Sequence, residues 1–146
     1  MPETIPIAAD HAGFEMKELL ARDLRDLGYE VEDLGTHNGD STDYPDYAHA
    51  LASKVESGEV RRGVLLCGTG LGMSYAANRH HGVRAAVIWS SEVARLAREH
   101  NDANVLVLPA RCIDDGTARE ILRTWLDTPF EGGRHQRRVD KIETST

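Results

Sequence analysis

Gly63-Val64-Leu65-Leu66-Cys67-Gly68-Thr69-Gly70-Leu71-Gly72-Met73-Ser74 changes character in its middle. The first five residues make a short apolar run with the length of a buried strand rather than a helix. Three glycines follow Cys67, and the spacing then predicts a helix from about Gly70 to His80. A strand that ends in a glycine loop and turns directly into a helix is a unit that parallel sheets are built from.

The same succession recurs on both sides. Strands are predicted at Thr4–Ala9, Tyr29–Leu34, Gly63–Cys67, Arg84–Trp89 and Asn104–Leu108. Between the first two, Met16, Leu19, Leu20, Leu24 and Leu27 follow helical spacing, with Gly28 as a stop. Tyr44, Tyr47, Ala48, Leu51 and Val55 form a second stripe that ends at Gly58. Val93, Leu96 and Ala97 mark a later helix. Ala118, Ile121, Leu122, Trp125 and Leu126 mark another, with Pro129 beyond it, and a last short helix is predicted at about Arg134 to Ile142. Five β-then-α units in order imply a three-layer α/β/α, Rossmann-like fold around a five-stranded parallel sheet. At 146 residues the expectation is one domain over residues 1–146, with a C-terminal helical segment at about 130–142.

Composition narrows the class. The net charge of −7 argues against nucleic acid as a partner. The longest apolar runs, Val64–Cys67 and Val105–Leu108, are far too short to span a membrane. Met1 to Asp10 lacks a basic segment followed by a long apolar stretch, so no secretion signal is read there. Two cysteines are too few for a disulfide framework, which favours a reducing cytoplasm.

In an open parallel sheet, ligands bind beyond the carboxyl ends of the strands. The first strand ends at Asp10-His11-Ala12-Gly13, where Asp10 can bond a hydroxyl or move a proton, or can simply cap the next helix. At the third strand's end, the glycines of Gly68–Gly72 let backbone approach a ligand. The helix that follows offers N–H groups to anionic oxygen and favours a thiolate at Cys67. The loop lacks the lysine of a P-loop, and Met73 replaces the third glycine of a dinucleotide fingerprint. The fifth strand leads to Arg111, which can reach a substrate oxygen, and to Cys112, which is expected to pack. Two cysteines and scattered histidines lack zinc-ligand spacing, so neither a metal nor another cofactor is predicted. Trp89, at the fourth strand's end, either shortens a pocket or joins the core.

A second polar group lies elsewhere. His100-Asn101-Asp102-Ala103-Asn104 precedes the fifth strand, and Arg134, Arg137, Arg138 and Lys141 form a basic island after the fifth helix. Arg134 and Arg138, four residues apart, share a helix face and suit a phosphate. His100 sits at a helix C-terminus, where its charged form is favoured. Simple crossovers put these groups near the rim opposite Cys67. A second copy of the chain can supply them, which predicts a homodimer with composite sites.

Asp10-His11-Ala12-Gly13, Thr42-Asp43-Tyr44-Pro45, Cys67-Gly68-Thr69-Gly70-Leu71-Gly72, His100-Asn101-Asp102-Ala103-Asn104 and Glu131-Gly132-Gly133-Arg134-His135 together resemble the type B ribose-5-phosphate isomerase family, over about Ile5 to Ile142. The family also includes isomerases of allose, galactose and tetrose phosphates. The resemblance implies an aldose–ketose isomerase of the pentose phosphate pathway, without metal or cofactor. Its catalytic residues would be Cys67 as base, His100 for ring opening with Asp10 nearby, and Thr69 within the loop that steadies an enediolate. It implies substrate contacts at Asp10, His11, Tyr44, Gly68, Thr69, Gly70, Leu71, Gly72, Asn101, Arg111, Arg134 and Arg138. One branch replaces the cysteine by a glutamate further along the loop. Leu71-Gly72-Met73-Ser74-Tyr75 has none, so the cysteine branch fits. The family's homodimers, alone or paired into dimers of dimers, agree with the rim argument. The alternatives are a tetrose 4-phosphate, allose 6-phosphate or galactose 6-phosphate substrate, or a non-catalytic sugar-phosphate sensor.

Overall fold

The computed structural model describes residues 2–144; Met1, Ser145 and Thr146, part of the expected 1–146 domain, lie outside the described residues. Five strands run as β1 (Thr4–Ala9), β2 (Glu30–Gly35), β3 (Gly63–Cys67), β4 (Ala85–Val87) and β5 (Val105–Pro109). Six helices follow as α1 (Phe14–Asp26), α2 (Tyr44–Glu56), α3 (Leu71–Ala77), α4 (Ser91–Asn101), α5 (Asp115–Asp127) and α6 (Arg134–Asp140). A single 3-10 turn, His11–Gly13, joins β1 to α1. The sheet is parallel throughout, in the order β2-β1-β3-β5-β4.

Strand alternation divides the core in two. Ile5, Ile7, Ala9, Val64, Leu66, Leu106 and Leu108 face α1, α4 and α5. Ala8, Leu65, Cys67, Val105 and Val107 face α2 and α3. Burial on both faces explains why β3 and β5 read as unbroken apolar runs. The three-layer architecture and its five parallel strands are as expected, and among the described residues no helix is long and apolar enough to cross a membrane.

Several local readings need correction. The predicted helix from Gly70 to His80 is regular only over Leu71–Ala77; Arg79 and His80 N–H groups donate three residues back, to Ala76 and Ala77, which tightens the chain into a turn before Gly82. The strand predicted over Arg84–Trp89 is regular only at Ala85–Val87, because it is an edge with β5 as its one neighbour. Trp89 is not core but 59% exposed. In α4 Ala97 is buried as expected, but its buried companion is Ala94, with Val93 and Leu96 only half-buried. α6 ends at Asp140, short of Ile142.

α1 holds the largest surprise. Leu27 is exposed, whereas Lys17 is completely buried beside the expected leucines. Its Nζ donates to Asp33 Oδ2 at 2.6 Å and to Glu18 Oε1 at 2.7 Å. A buried ammonium persists only when so paired. Asp33 lies where β2 gains one residue against β1: Ile7 pairs with Asp33, Ala8 with Gly35, leaving Leu34 extra. Asp23, also buried, takes two bonds from Arg119 at 2.8 Å, and these hold its carboxyl below the usual carboxylate range against the opposing effect of burial.

Candidate active site

The ends of β1, β3 and β5 lie side by side because these are the three central strands. A cleft of about 360 Å³ opens there, lined by Asp10, Tyr44, Cys67, Gly68, Thr69, Gly72, Tyr75 and Arg111. Cys67 is the last residue of β3 and only 5% exposed. Its carbonyl accepts from Ala110 N–H at 2.8 Å, and the Gly68 carbonyl accepts from Arg111 N–H at 3.0 Å. These bonds extend the sheet past its formal end and lay Arg111 over the loop, where a Cβ on Gly68 would sit 3.3 Å from the guanidinium Nη1.

The loop's shape rests on two glycines. Gly70 has φ +79°, and a Cβ there would meet Val87 Cγ1 at 3.1 Å. Gly72 carries the Tyr44 ring, since a Cβ on it would lie 2.5 Å from Tyr44 Cζ. Thr69 Oγ1 accepts the Leu71 N–H at 3.3 Å, leaving its own proton free to donate. Leu71 is 49% exposed at the first position of α3.

Asp10 caps the turn after β1 and stands in the cleft. Its Oδ1 accepts from Ala12 N–H at 3.0 Å and Gly13 N–H at 3.2 Å, capping the 3-10 turn, while the residue also lines the cleft. His11 Nδ1 accepts the Thr42 N–H at 3.2 Å, so that nitrogen is engaged and an imidazole proton sits on Nε2. Through this bond His11 ties down the segment that delivers Tyr44 to the cleft.

Four expected residues lie elsewhere. His100 and Asn101 end α4, and Arg134 and Arg138 lie exposed on α6; none of the four lines the cleft. Glu131 N–H donates to Glu99 O at 3.1 Å, docking the entry to α6 against the end of α4. His100 consequently stacks on His135, with centroids 4.3 Å apart and planes 17° apart. Burial, His100 and Arg134 push the buried His135 imidazole below its ordinary value. Arg134 and Arg138 stand four residues apart on α6.

One further expectation fails here. Cys112 does not pack: it is exposed on the turn beyond β5, its Sγ reaching only Gly68 O at 3.8 Å. Ser90 Oγ caps α4 by accepting from Val93 N–H, and Ser91 Oγ donates to Glu120 Oε1. Tyr75 was missed in the sequence although it lines the cleft; its place three residues after Gly72 on a helix was the signal. His135 and Glu131 were noted only as part of a motif, and the contact with His100 joins parts of the chain far apart in sequence.

A family model described as Ribose/Galactose Isomerase matches residues 5–142. The chain belongs to this family. Ribose-5-phosphate isomerase B of Escherichia coli (strain K12) is 45% identical to it over 138 residues, covering 94% of this chain and 93% of that protein. The crystal structure of a ribose 5-phosphate isomerase from Thermotoga maritima superposes with a TM-score of 0.93 at 54% identity, covering 96% of this chain and 97% of the other. Ribose-5-phosphate isomerase B from Mycoplasma genitalium, solved with bound ribulose-5-phosphate, gives a TM-score of 0.94 at 44% identity, with 97% and 95% covered. The type B resemblance read from the five motifs is therefore borne out, and with it membership of a family of isomerases.

Proposed function

We propose that this chain interconverts ribose 5-phosphate and ribulose 5-phosphate through an enediolate, with Cys67 as the base. The observation that carries the reading is a near-buried cysteine at the end of a central strand, facing a cleft, with a glycine loop turning directly into a helix beside it. The ribose-5-phosphate isomerase B relatives supply the substrate class.

The chemistry follows from the groups present. His100 moves the proton that opens the sugar ring. The Cys67 thiolate takes the proton from the carbon beside the aldehyde, and negative charge builds on the neighbouring oxygen. Loop N–H groups and the Thr69 hydroxyl face that charge; a well-placed donor of this kind contributes about 3–4 kcal/mol. Transfer of the 2-hydroxyl proton to the 1-oxygen and return of the abstracted proton to the adjacent carbon complete the isomerisation. Asp10 and Arg111 bond sugar oxygens, and Tyr44 walls the cleft. Arg134 and Arg138 hold the phosphate, whose binding energy acts far from the reacting carbons.

This scheme needs His100, Asn101, Arg134 and Arg138 beside a cleft they do not line in their own chain, so a second copy supplies them and the working unit is a homodimer. Exposed Leu71, Tyr75 and Trp89 beside the loop and the β4 edge are apolar surface suited to that contact. The segment at 130–142 serves as the phosphate arm of the single domain, and the enzyme works in the cytoplasm on a soluble metabolite.

The test is turnover on a panel of four-, five- and six-carbon aldose phosphates with Cys67→Ala as control. The expected result is preference for ribose 5-phosphate and loss of turnover in the variant, with substrate still bound. Retained turnover removes Cys67 as the base. Preference for a tetrose or hexose phosphate keeps the mechanism and changes the substrate.

A further inference from the structure

The end of α4 and the entry to α6 bring together side chains that the isomerase scheme uses only in part. Glu131 Oε1 lies 3.7 Å from His100 Nε2 and 3.5 Å from His135 Nε2. The three donor atoms all fall within 4.8 Å of one another. His135 is only 7% exposed, yet its Nε2 has no hydrogen-bond partner among the described residues. A buried polar nitrogen left so is unfavourable, and a ligand that takes up its lone pair removes that penalty. Stacking against His100 does not satisfy that nitrogen, because it engages the ring face and not the ring edge.

We propose that His100, Glu131 and His135 form a binding site for a divalent transition-metal cation of the zinc class. Ligands about 2.0–2.1 Å from a tetrahedral ion stand about 3.4 Å from one another. The two nitrogen-to-carboxylate separations, 3.7 and 3.5 Å, are within a few tenths of that spacing. Two imidazoles and one carboxylate suit zinc, nickel or copper, whereas magnesium and calcium take oxygen ligands. Three protein ligands leave a fourth position open. The site escaped the sequence reading because His100 stands far in sequence from the Glu131 and His135 pair, which alone has a compact i, i+4 spacing. Arg134 and Arg138 on the same helix oppose a cation, which sets the affinity below that of a closed structural zinc site. Resting on the proposed isomerase reading, a second consequence follows: the bound cation occupies the Nε2 lone pair of His100 and blocks ring opening.

The experiment is a Co²⁺ titration of the full chain, followed by visible absorption, together with equilibrium dialysis against Zn²⁺ and, separately, Mg²⁺. One tightly held Zn²⁺ or Co²⁺ per chain is expected, with Mg²⁺ not retained. His135→Gln and Glu131→Gln should each weaken binding by at least about tenfold. Glu131 is 54% exposed in its side chain, so its variant is informative even where replacing buried His135 disturbs folding. His49→Gln should bind as wild type does, although it breaks the other close histidine pair, His49 Nδ1 to His80 Nε2 at 2.7 Å. Absence of binding, binding unchanged in both site variants, or binding lost in His49→Gln alone overturns the assignment. Zn²⁺ inhibition that disappears in Glu131→Gln supports the site and its effect on His100. Stoichiometric binding without inhibition supports the site and instead removes His100 from ring opening.

Discussion

Gly72→Ala separates the architecture of the cleft from the stability of the fold. Gly72 is the second residue of α3, where alanine should strengthen a helix by up to about 1 kcal/mol. The new methyl would, however, lie 2.5 Å from Tyr44 Cζ and 2.9 Å from Tyr44 Oη, while ordinary contact begins at 3.4 Å. Tyr44 Cε1 lies nearer still, so the ring must retreat by about 1 Å to reach ordinary contact. Tyr44 is 39% exposed, and the overlapping atoms are the far end of its side chain, so it can swing outward without moving backbone. The overlap and the helix gain oppose each other, and stability should change by less than about 1 kcal/mol. The cleft bears the cost, because Tyr44 and Gly72 both line it. Misplacing one wall by about 1 Å should lower kcat/KM by roughly 10- to 100-fold. Initial rates with ribose 5-phosphate for wild type, Gly72→Ala, Tyr44→Ala and the double variant check this. With the ring already gone, the methyl has nothing to displace, so the double variant should be no slower than Tyr44→Ala alone. Penalties that multiply in the double variant would refute the reasoning, as would a Gly72→Ala protein that melts many degrees below wild type.

Two further expectations concern the fold. Gly13→Ala would place a Cβ 2.7 Å from Leu66 Cβ and 3.0 Å from the Leu66 carbonyl carbon, against a central strand that cannot yield, so it should destabilise by about 1–3 kcal/mol or more; an unchanged urea midpoint would disprove it. The folded state disfavours the charged form of His135, so the unfolded chain binds more protons near its ordinary value of 6.5; stability is full above that value and falls as pH drops through it toward the lower folded value. Further loss sets in below about 3.8, where Asp23 and Asp114, both held low by hydrogen bonds, take up protons. His135→Gln should flatten the profile between about pH 5 and 7 and leave the acid limb intact, and an unaltered slope there would exclude His135 as its source.

The fold was legible where one physical signal dominated. β1 and β3 have the predicted bounds because apolar runs buried on both faces end abruptly at Asp10 and at Gly68. α5 holds Ala118, Ile121, Leu122, Trp125 and Leu126 inward as their spacing predicts. The reading weakened wherever burial depended on a distant partner. Nothing near Lys17 in sequence announces Asp33, which neutralises it from the next strand. Nothing near Val93 and Leu96 announces that their helix packs through small alanines instead.

The candidate site shows the same division, and topology explains it. Strand ends are local features, so Asp10, Cys67 and Arg111 could be named from short motifs, and parallel pairing with β3 in the centre then brings them to one cleft without further instruction. Residues that precede a strand have no such common destination. His100 and His135 meet because Glu131 ties its N–H to Glu99, and that one backbone bond turns two separate motifs into a cluster with its own chemistry. The cleft is therefore sheet-defined, whereas the histidine cluster is defined by how α6 docks. In the proposed homodimer the two meet across chains, and a change at the α6 entry should alter phosphate and cation binding while leaving the Cys67 loop in place.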